Sequence, residues 1–494
     1  MPITPWRKNP VIYEINTLVW LHELSKGGHD RITLATVPPN EWDAIASLRV
    51  DGVWFMGVWQ RSPESARIAQ EHQGLQGEYR RALPDFNQED VVGSPYSIYR
   101  YEVSDDLGGA AGLATARAAL AQRDIRLILD FVPNHMALDH AWVFEHPEYL
   151  IQGDSEDLEE KAEEFFQTGE RVFAHGRDPY FPPWTDTVQL NGFHAGLRQA
   201  LIETLRYILD QCDGLRCDMA MLLLNRIFEQ TWGQRAGDRP ALEFWSQVLN
   251  GVREKHPSAL FMAEAYWDLE WELQQLGFDY CYDKRLYDRL ASDTARSLRL
   301  HLLADLGYQQ KLVRFIENHD EPRAASTFGS TRSRLAALTI ATLPGATLLH
   351  EGQLEGRQVK LPVQLRRRPP EHTDLNLHAF YRKLLEVINA QVFRDGEWRL
   401  CEPTEGQGGD GHSSLVAWCW AKGRERWVIV VNMSNSNAQG RVHLPWGELA
   451  GQQWQLTDHL RGEAYERNGD EMRYQGLYVA LGAWGFHCLR FTQM

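Results

Sequence analysis

The chain has 494 residues, of which 43% are hydrophobic and 24% charged, as in a soluble globular protein with a large core. Its formal net charge of −16 and the lack of a basic stripe argue against nucleic acid as a partner. No apolar run approaches the ~18 residues of a membrane-spanning helix, and the N-terminus lacks the apolar core of a signal peptide. With six cysteines that show no metal-type spacing, these features predict a cytoplasmic protein with reduced, buried thiols and no membrane partner.

Short β-branched or aromatic runs alternate with long helical stretches over most of the chain. Eight such runs are predicted strands, and the segments between them repeat apolar residues at the spacing of amphipathic helices. Strands that alternate with helices predict parallel pairing and a closed (β/α)8 barrel, an α/β fold. The predicted strands are 11–15, 52–56, 125–132, 214–219, 260–265, 278–283, 312–318 and 346–352.

Two segments depart from this alternation. After the third strand, an acidic stretch is followed by one rich in aromatic residues and proline, and we expect a small excursion domain there. Near the C-terminus, short alternating strands separated by Gly, Asn and Asp turns predict an antiparallel β-sandwich. The predicted domains are a barrel of 1–135 and 191–390, an excursion domain of 136–190 and a C-terminal sandwich of 391–494.

Polar residues cluster where four of the predicted strands end, and the active site of such a barrel lies at the carboxyl ends of its strands. Arg216 and Asp218 are two apart on one strand, so both side chains point into the barrel. The guanidinium keeps the neighbouring carboxylate ionised, as a nucleophile requires. Glu264 lies between alanines after an apolar run, a poorly solvated setting that raises the pKa of a general acid. The other strand-end residues are Asp130, Asn134, His135, Asn318, His319 and Asp320.

This set of side chains suits the cleavage of a glycosidic bond. Two carboxyl groups about 5–5.5 Å apart cleave such a bond with retention, through a covalent glycosyl-enzyme. Asp320 adds a third carboxylate that can stabilise the oxocarbenium-like transition state, and His135 and His319 can bind sugar hydroxyls. Alone, an Arg-x-Asp pair is more often a structural ion pair, and Asn-His-Asp can cap a turn. Their joint occurrence at strand ends of one barrel favours the chemical interpretation.

Four motifs resemble the sequence blocks of the α-amylase family (glycoside hydrolase family 13). They are DFVPNH (130–135), GLRCDMAM (214–221), FMAEAYW (261–267) and FIENHD (315–320), in the family's order. The stretch 93–109 is similar to the family's segment after the second strand. The resemblance implies that the substrate is an α-glucan or α-linked gluco-oligosaccharide. It also implies the following roles: Asp218 as nucleophile, Glu264 as acid/base, Asp320 as transition-state carboxylate, Tyr96 stacked under the glucose, Arg216, His135 and His319 in the same subsite, and Asp130 as their support.

The sequence departs from the family after the nucleophile. Typical members carry Lys-His there, which grips glucose on the leaving-group side, whereas this chain has Met221 and Leu222. The departure favours an unusual acceptor or a short substrate. Asn134 matches the position of a calcium ligand in the family, but an Asn there can equally hydrogen-bond across the loop. The chemistry requires no cofactor, and calcium is the one metal that the resemblance leaves open.

Arg323 lacks a partner that the resemblance would supply. NHDEPR (318–323) is similar to the oligosaccharide α-glucosidases, in which the counterpart of Arg323 binds near the substrate and pairs with an Asp before the stacking tyrosine. Here that position is Gly93. We therefore expect Arg323 to meet Glu64 or Asp85, from the loop after the second strand.

Aromatic residues are abundant, with 18 Trp, 17 Tyr and 19 Phe. Because flat rings stack on the apolar faces of sugars, we expect Trp59, Trp184 and Trp267 to form subsite walls. The tryptophans of the last hundred residues are predicted to pack the sandwich.

Several functions remain open at the level of sequence. A hydrolase and a transglycosylase share one covalent intermediate and differ only in the acceptor, which motifs do not reveal. A phosphorylase or phospho-sugar transferase of the same family needs a basic pocket, for which Arg323 and the arginine run 366–368 are available. A non-catalytic carbohydrate-binding barrel would lack one of the three acids, and all three are present. A metal-dependent hydrolase is disfavoured because no H-x-H or H-E-x-x-H spacing occurs.

Overall fold

A computed structural model describes residues 6–26, 31–406 and 410–494. Up to residue 137, strands alternate with helices whose starts follow local capping chemistry. One helix begins at Pro63, and the Ser62 hydroxyl accepts the Ser65 N–H; serine favours the cap and proline the first turn. The elements are β1 (Val11–Asn16), α1 (Thr17–Ser25), α2 (Pro39–Ser47), β2 (Gly52–Met56), β3 (Trp59–Arg61), α3 (Pro63–Glu71), α4 (Gln73–Ala82), β4 (Ile98–Val103), α5 (Gly109–Ala121), β5 (Arg126–Phe131) and β6 (His135–Ala137).

The segment that follows holds a small antiparallel sheet of its own. The elements are α6 (Trp142–Glu145), β7 (Gln152–Gly153), α7 (Ser155–Glu160), β8 (Phe165–Thr168), β9 (Arg171–Ala174) and β10 (Thr187–Gln189). Strands β7, β9 and β8 form a three-stranded sheet, and β10 pairs with β6. The sequence predicts a separate segment here but not this sheet, because its strands have only two to four residues.

After residue 190 the alternation of helices and strands resumes. The elements are α8 (Ala195–Leu209), β11 (Gly214–Cys217), α9 (Asn225–Trp232), α10 (Phe244–Arg253), β12 (Leu260–Ala263), α11 (Glu270–Gln275), β13 (Tyr280–Tyr282), α12 (Lys284–Ser292), α13 (Ala295–Leu302), α14 (Leu306–Gln309), β14 (Leu312–Arg314), α15 (Ala324–Thr342), β15 (Ala346–His350), α16 (Leu375–Ile388) and α17 (Gln391–Asp395).

Eight strands close into a barrel in the order β1-β15-β14-β13-β12-β11-β5-β2. Each of the eight predicted runs supplies one of these strands, so the predicted (β/α)8 barrel is confirmed. Strand β11 pairs in parallel with both β5 and β12, which places Arg216 level with Asp130 and Met262. It ends at Cys217, earlier than predicted, and Met219 then takes a left-handed φ of 43°. This short strand positions the polar residues that follow it.

The C-terminal region forms the predicted antiparallel β-sandwich. Its elements are β16 (Glu397–Cys401), β17 (Pro403–Thr404), β18 (Leu415–Lys422), β19 (Glu425–Asn432), β20 (Ala438–Val442), β21 (Gln453–Asp458), β22 (Ala464–Asn468), α18 (Gly469–Tyr474), β23 (Leu477–Leu481) and β24 (Phe486–Gln493). The sheets have the orders β16-β18-β19-β24-β21-β22 and β17-β20-β23. Trp446 and Trp454 join the apolar core that both sheets line. Trp418 and Trp420 alternate with the core residues of β18 and instead donate to the Thr342 carbonyl at the end of α15.

Contacts group the chain into two compact units. The first comprises Met1–Trp6, Tyr13–Tyr282 and Val359–Pro370, and the second Arg7–Ile12, Asp283–Gln358 and Glu371–Met494. This grouping follows different boundaries from the predicted barrel, excursion and sandwich, whose limits stay a prediction.

All six cysteines lie in the described residues, where they are buried and form no disulfide. The prediction that the thiols are buried is therefore confirmed. Among the described residues, no helix combines the length and apolar character needed to span a membrane.

Candidate active site

The buried guanidinium of Arg216 is the centre of the candidate site. Its Nη1 lies 2.6 Å from Asp218 Oδ1 and its Nη2 lies 2.7 Å from Glu264 Oε2. The Asp130 carboxylate is 3.6 Å from Nη1. One acid follows β11 and another follows β12, and both contact the same planar fork. Because that fork is small and rigid, the carboxylates of Asp218 and Glu264 are held close together.

Three aromatic rings surround this guanidinium. Its carbon lies 5.2 Å from the ring centre of Tyr96, 5.3 Å from that of Trp54 and 5.8 Å from that of Tyr282. Burial opposes the charge, but Glu264, the two tyrosines and Asp218 outweigh it and hold the pKa of Arg216 well above its ordinary value. Arg216 therefore remains a cation and favours the ionised form of the carboxylates that it touches.

Glu264 is buried, as predicted, but its contacts are polar. Its Oε2 accepts the Met219 backbone N–H at 2.7 Å, and its Oε1 accepts the Tyr266 hydroxyl at 2.8 Å. Met219 has φ 43° and ψ 43°, a conformation that is uncommon for a residue other than glycine. With Arg216, these donors favour the ionised carboxylate. The sequence therefore predicted the burial of Glu264 correctly. It did not predict the hydrogen bonds that its carboxylate accepts.

Asp130 links the end of its own strand, β5, to β2 and to the residues that follow β2. Its Oδ2 accepts the Trp54 indole N–H at 3.1 Å and the Gly57 N–H at 3.3 Å, and its backbone carbonyl accepts the Trp59 indole N–H at 2.8 Å. These bonds fit the predicted supporting role. Trp59 is only 2% exposed, so the prediction that it forms a subsite wall is wrong: its ring packs in the core.

His135, Tyr96 and Trp184 have the character expected of sugar contacts. Burial lowers the pKa of His135 to about 4, so its imidazole is neutral at pH 7 and can donate or accept a hydrogen bond. The Trp184 ring centre lies 4.9 Å from that of His135. Tyr96 and Trp184 are both partly exposed, which leaves ring surface for stacking.

Asn134 takes the hydrogen-bonding role rather than that of a calcium ligand. Its Nδ2 donates to Gln189 Oε1 at 3.2 Å, and its Oδ1 accepts from Gln189 Nε2 at 3.0 Å. Calcium needs six to eight oxygen ligands. Within the described ranges, no group of three or more His, Cys, Asp or Glu side chains has metal-binding geometry. The Asn134 amide is therefore engaged with Gln189, and we assign no step to a metal.

The loop after β14 carries the other predicted site residues. His319 Nε2 lies 3.0 Å from Asp320 Oδ2, and the side chain of Asp320 is 43% exposed. The Asn318 side chain accepts the N–H groups of Asp320 and Glu321 at 2.9 and 2.8 Å. Asn318 thus shapes the turn, while the carboxylate of Asp320 is accessible to solvent.

Arg323 is buried and pairs with residues of its own region. Its Nη1 lies 2.6 Å from Glu317 Oε1 and 2.9 Å from His350 Nδ1, and it donates to the Glu351 carbonyl at 2.9 Å. Burial raises the pKa of Glu317, but the charge of Arg323 and the His350 hydrogen bond hold that pKa below its ordinary value. Glu317 is the partner that replaces the missing aspartate.

Glu64 and Asp85, which the sequence suggests as partners of Arg323, each pair with another arginine. Glu64 pairs with Arg67 at 2.6 Å, three residues along the same helix. Asp85 pairs with Arg367 at 3.0 Å, and Arg367 also lies 2.6 Å from Asp90. Carboxylates therefore neutralise part of the arginine run 366–368.

Among the residues of these networks whose contacts the motifs do not indicate are Trp54, Tyr266, Tyr282 and Glu317. Trp54 and Tyr282 lie on predicted barrel strands, and only the inward alternation could have indicated them. Tyr266 lies two residues beyond Glu264, close enough for its hydroxyl to return to the carboxylate. Glu317 falls in a run predicted as strand, but β14 ends at Arg314, which frees Glu317 to turn towards Arg323.

A family model described as "Alpha amylase, catalytic domain" matches residues 42–372, more than half of the chain. The chain belongs to the α-amylase family. The resemblance predicted from the four motifs is confirmed.

Relatives of known name agree with this assignment. The chain is 25% identical to Alpha-amylase MalA of Haloarcula japonica over 477 residues, which are 94% of this chain and 60% of that protein. It therefore spans about three fifths of the relative's length. The crystal structure of a noncanonic maltogenic α-amylase, AmyB from Thermotoga neapolitana, aligns with a TM-score of 0.69 at 17% identity, over 98% of this chain and 99% of that one. An α-amylase from Lactobacillus plantarum aligns with a TM-score of 0.67 at 19% identity, over 98% and 99%. These two likenesses show the fold.

Proposed function

We propose that this α-amylase family member is a retaining enzyme that hydrolyses or transfers α-linked glucosyl units of gluco-oligosaccharides or α-glucans. One observation carries the proposal: Asp218 and Glu264 both contact the guanidinium of Arg216, at 2.6 and 2.7 Å. A shared guanidinium supports the short separation, about 5–5.5 Å, that double displacement needs.

The reaction proceeds in two displacements at the anomeric carbon. In the first, an oxygen of Asp218 attacks that carbon, the glycosidic bond breaks, and the leaving oxygen takes the proton of Glu264. The product is a glycosyl ester of Asp218. In the second, the Glu264 carboxylate takes a proton from water or from a sugar hydroxyl, whose oxygen attacks the same carbon and releases Asp218. Two inversions give net retention.

The contacts of Glu264 suit both of its roles. As a carboxylate it is held by Arg216, Tyr266 and the Met219 N–H, and in this form it can act as the base of the second step. Protonation weakens the attraction to Arg216 and leaves the guanidinium to Asp218, which favours the ionised nucleophile in the first step. One arginine thus links the charge states of the two acids.

The remaining predicted site residues act around this pair. Asp320 provides the third carboxylate, which its exposure and its place in FIENHD support. Tyr96 stacks under the glucose, His319 and the neutral His135 bind its hydroxyls, and Asp130 holds the strand ends. We assign Arg323 to the support of its loop rather than to direct binding of substrate, since Glu317, His350 and Glu351 occupy its Nη1.

The relatives and the site support an α-glucan substrate with unusual recognition of the acceptor. MalA is named an α-amylase and AmyB a maltogenic α-amylase. Met221 and Leu222, which stand where the family has Lys-His, are 0% and 3% exposed, so neither side chain replaces the usual grip on the leaving sugar. Six buried cysteines outside disulfides support a reducing compartment such as the cytoplasm. Phosphorolysis has less support, because carboxylates already pair with Arg323 and Arg367.

Product analysis tests the proposal. Purified protein is incubated with maltose, maltotriose, isomaltose, trehalose, sucrose and starch, with and without phosphate and EDTA. Products are identified by mass spectrometry and their anomeric form by NMR. We expect the α-anomer first, no sugar phosphate and no loss with EDTA. Initial release of the β-anomer would contradict retention, and a phosphate-dependent glucose 1-phosphate would establish phosphorolysis instead.

A further inference from the structure

A short loop, residues 176–184 (the aromatic loop), closes on itself beside His135. Gly176 and Trp184 form an antiparallel bridge, and the Trp184 N–H donates to the Gly176 carbonyl at 2.8 Å. The Trp184 ring rests 4.9 Å from the His135 ring, and a Cβ at Gly176 would come within 2.8 Å of the His135 Cβ. Both ends of the aromatic loop are therefore fixed next to a residue proposed to bind sugar.

The tip of the aromatic loop presents aromatic rings to solvent. Asp178, which is 6% exposed, accepts the N–H groups of Tyr180 and Phe181 at 2.6 and 2.9 Å. The side chains of Tyr180 and Phe181 are 62% and 67% exposed. A buried carboxylate thus holds a turn whose large rings face water, and exposed apolar surface held in this way marks a binding site more often than a packing defect.

Tyr180 packs against a tryptophan from the segment that carries the acid/base. The ring centres of Tyr180 and Trp267 lie 4.9 Å apart with an interplanar angle of 87°. Trp267 follows Glu264 by three residues, and Tyr266 between them donates to the Glu264 carboxylate. Trp267 and Asp268 have φ angles of 63° and 62°. Two successive residues other than glycine in this region are strained, and such strain clusters at ligand sites.

A polar pair stands next to these rings. Arg226 Nη2 lies 2.7 Å from Glu272 Oε2, and the two side chains are 47% and 36% exposed. The hydrogen bond with Glu272 raises the pKa of Arg226, and Tyr180 is near enough to contribute. Rings for apolar contact beside a few placed polar groups are the usual composition of a small-molecule site.

We propose that Tyr180 and Trp267 form the subsite for the leaving-group glucosyl residue, the first sugar beyond the cleaved bond, with Arg226 and Glu272 beside its hydroxyls. The inference rests on the proposed function. The general acid protonates the leaving oxygen, so a platform on the segment of Glu264 lies on the leaving side. Stacking on this platform binds the leaving sugar, as the Lys-His pair does in typical members of the family. In this chain Met221 and Leu222 stand at the positions of that pair.

Two substrates distinguish binding of the leaving sugar in this subsite from the catalytic steps at Asp218 and Glu264. Maltotetraose places a sugar on the leaving side, whereas α-maltosyl fluoride has only fluoride there. We expect Tyr180→Ala to lower kcat/KM for maltotetraose roughly tenfold, the value of one good aromatic contact, and to change kcat/KM for the fluoride less than about twofold. Tyr180→Phe keeps the ring and stays close to the wild type. Phe181→Ala is the matched control, since it removes an equally exposed ring from the same turn, and we expect no change with either substrate.

Each result has a definite meaning. Equal losses on both substrates would overturn the subsite and give Tyr180 a structural role, and so would an unchanged rate on maltotetraose. A similar loss in Phe181→Ala would show that the turn, rather than the Tyr180 ring, is responsible, which also overturns the assignment. Initial release of the β-anomer from maltotetraose by the wild-type protein would contradict the retaining mechanism itself, and the proposed function would then fail before the subsite.

Discussion

Arg216 and Arg323 are both buried arginines near strand ends, but their surroundings differ. Arg216 divides its guanidinium between two acids, Asp218 and Glu264, and lies among three aromatic rings. Arg323 directs one nitrogen to Glu317, His350 and a backbone carbonyl. Glu317 in turn accepts the Ala324 N–H at 2.7 Å, at the first residue of α15.

Buried arginine–carboxylate contacts thus have two different roles in this protein, one proposed to be catalytic and one structural. All contacts given for the Glu317 carboxylate are structural. It pairs with Arg323, contacts His350 and accepts the N–H of Ala324 at the start of α15. Asp218 and Glu264 instead share the guanidinium of Arg216, and Glu264 also accepts the Met219 N–H and the Tyr266 hydroxyl. A buried ion pair alone does not indicate catalysis, but an arginine shared between two acids at strand ends of a barrel supports it.

The largest expected effect comes from the acids at Arg216. Asp218→Asn and Glu264→Gln should each lower kcat for maltotetraose by at least about 10³-fold, because each removes one partner of the double displacement. Circular dichroism should show an unchanged fold. The Glu264→Gln variant should recover part of the loss on α-maltosyl fluoride, since fluoride leaves without a proton. Turnover near the wild-type value in either variant would rule out the assignment.

The Arg323 region should respond in stability. Arg323→Met leaves the Glu317 carboxylate buried without its cation, and we expect the free energy of unfolding in urea to fall by about 3–5 kcal/mol. The double variant Arg323→Met/Glu317→Met should recover much of this loss. Arg67→Met serves as control: its pair with Glu64 is exposed, so we expect little change in the free energy of unfolding. A double variant as unstable as the single one would show that the pair is not the cause.

His135 should make the stability of the folded chain depend on pH. Burial lowers its pKa to about 4 from an ordinary value of about 6.5, so between these values the unfolded chain binds a proton that the folded chain does not. Stability is therefore complete above about pH 6.5 and falls towards pH 4, by roughly 2 kcal/mol at pH 4.5. Urea unfolding at pH 7 and 4.5 measures the fall. His135→Gln should lose stability less steeply over this interval, and an identical slope would exclude His135 as its source.

The smallest predicted effect concerns Tyr266. Its hydroxyl donates to the Glu264 carboxylate and so favours the ionised form. In Tyr266→Phe, Glu264 should stay protonated to higher pH, and the basic limb of the kcat/KM profile should move upward by up to about one pH unit. Rates measured from pH 5 to 10 test this. A basic limb that does not move, or moves downward, would mean that Tyr266 only packs.

Patterns that extend over many residues predicted the fold, whereas short strands and individual side-chain contacts could not be predicted from the sequence. All eight barrel strands and the sandwich follow from patterns that extend over many residues. The sheet of β7, β9 and β8 did not, because strands of two to four residues leave no pattern. The four motifs placed Asp218 and Glu264 correctly next to Arg216. They could not show that Glu264 also takes hydrogen bonds from Met219 and Tyr266, since these depend on a left-handed turn after β11.

The closed form of the aromatic loop lets the Tyr180 side of the proposed subsite be varied separately from Trp267. Residues 176 and 184 pair with each other, so the stretch between them can be lengthened, shortened or exchanged without stretching the chain on either side. Grafting other five-residue tips between positions 179 and 183 onto this scaffold would create a panel of enzymes with one reaction centre and different preferences for what is released. Diversification by such grafts needs no redesign of the barrel.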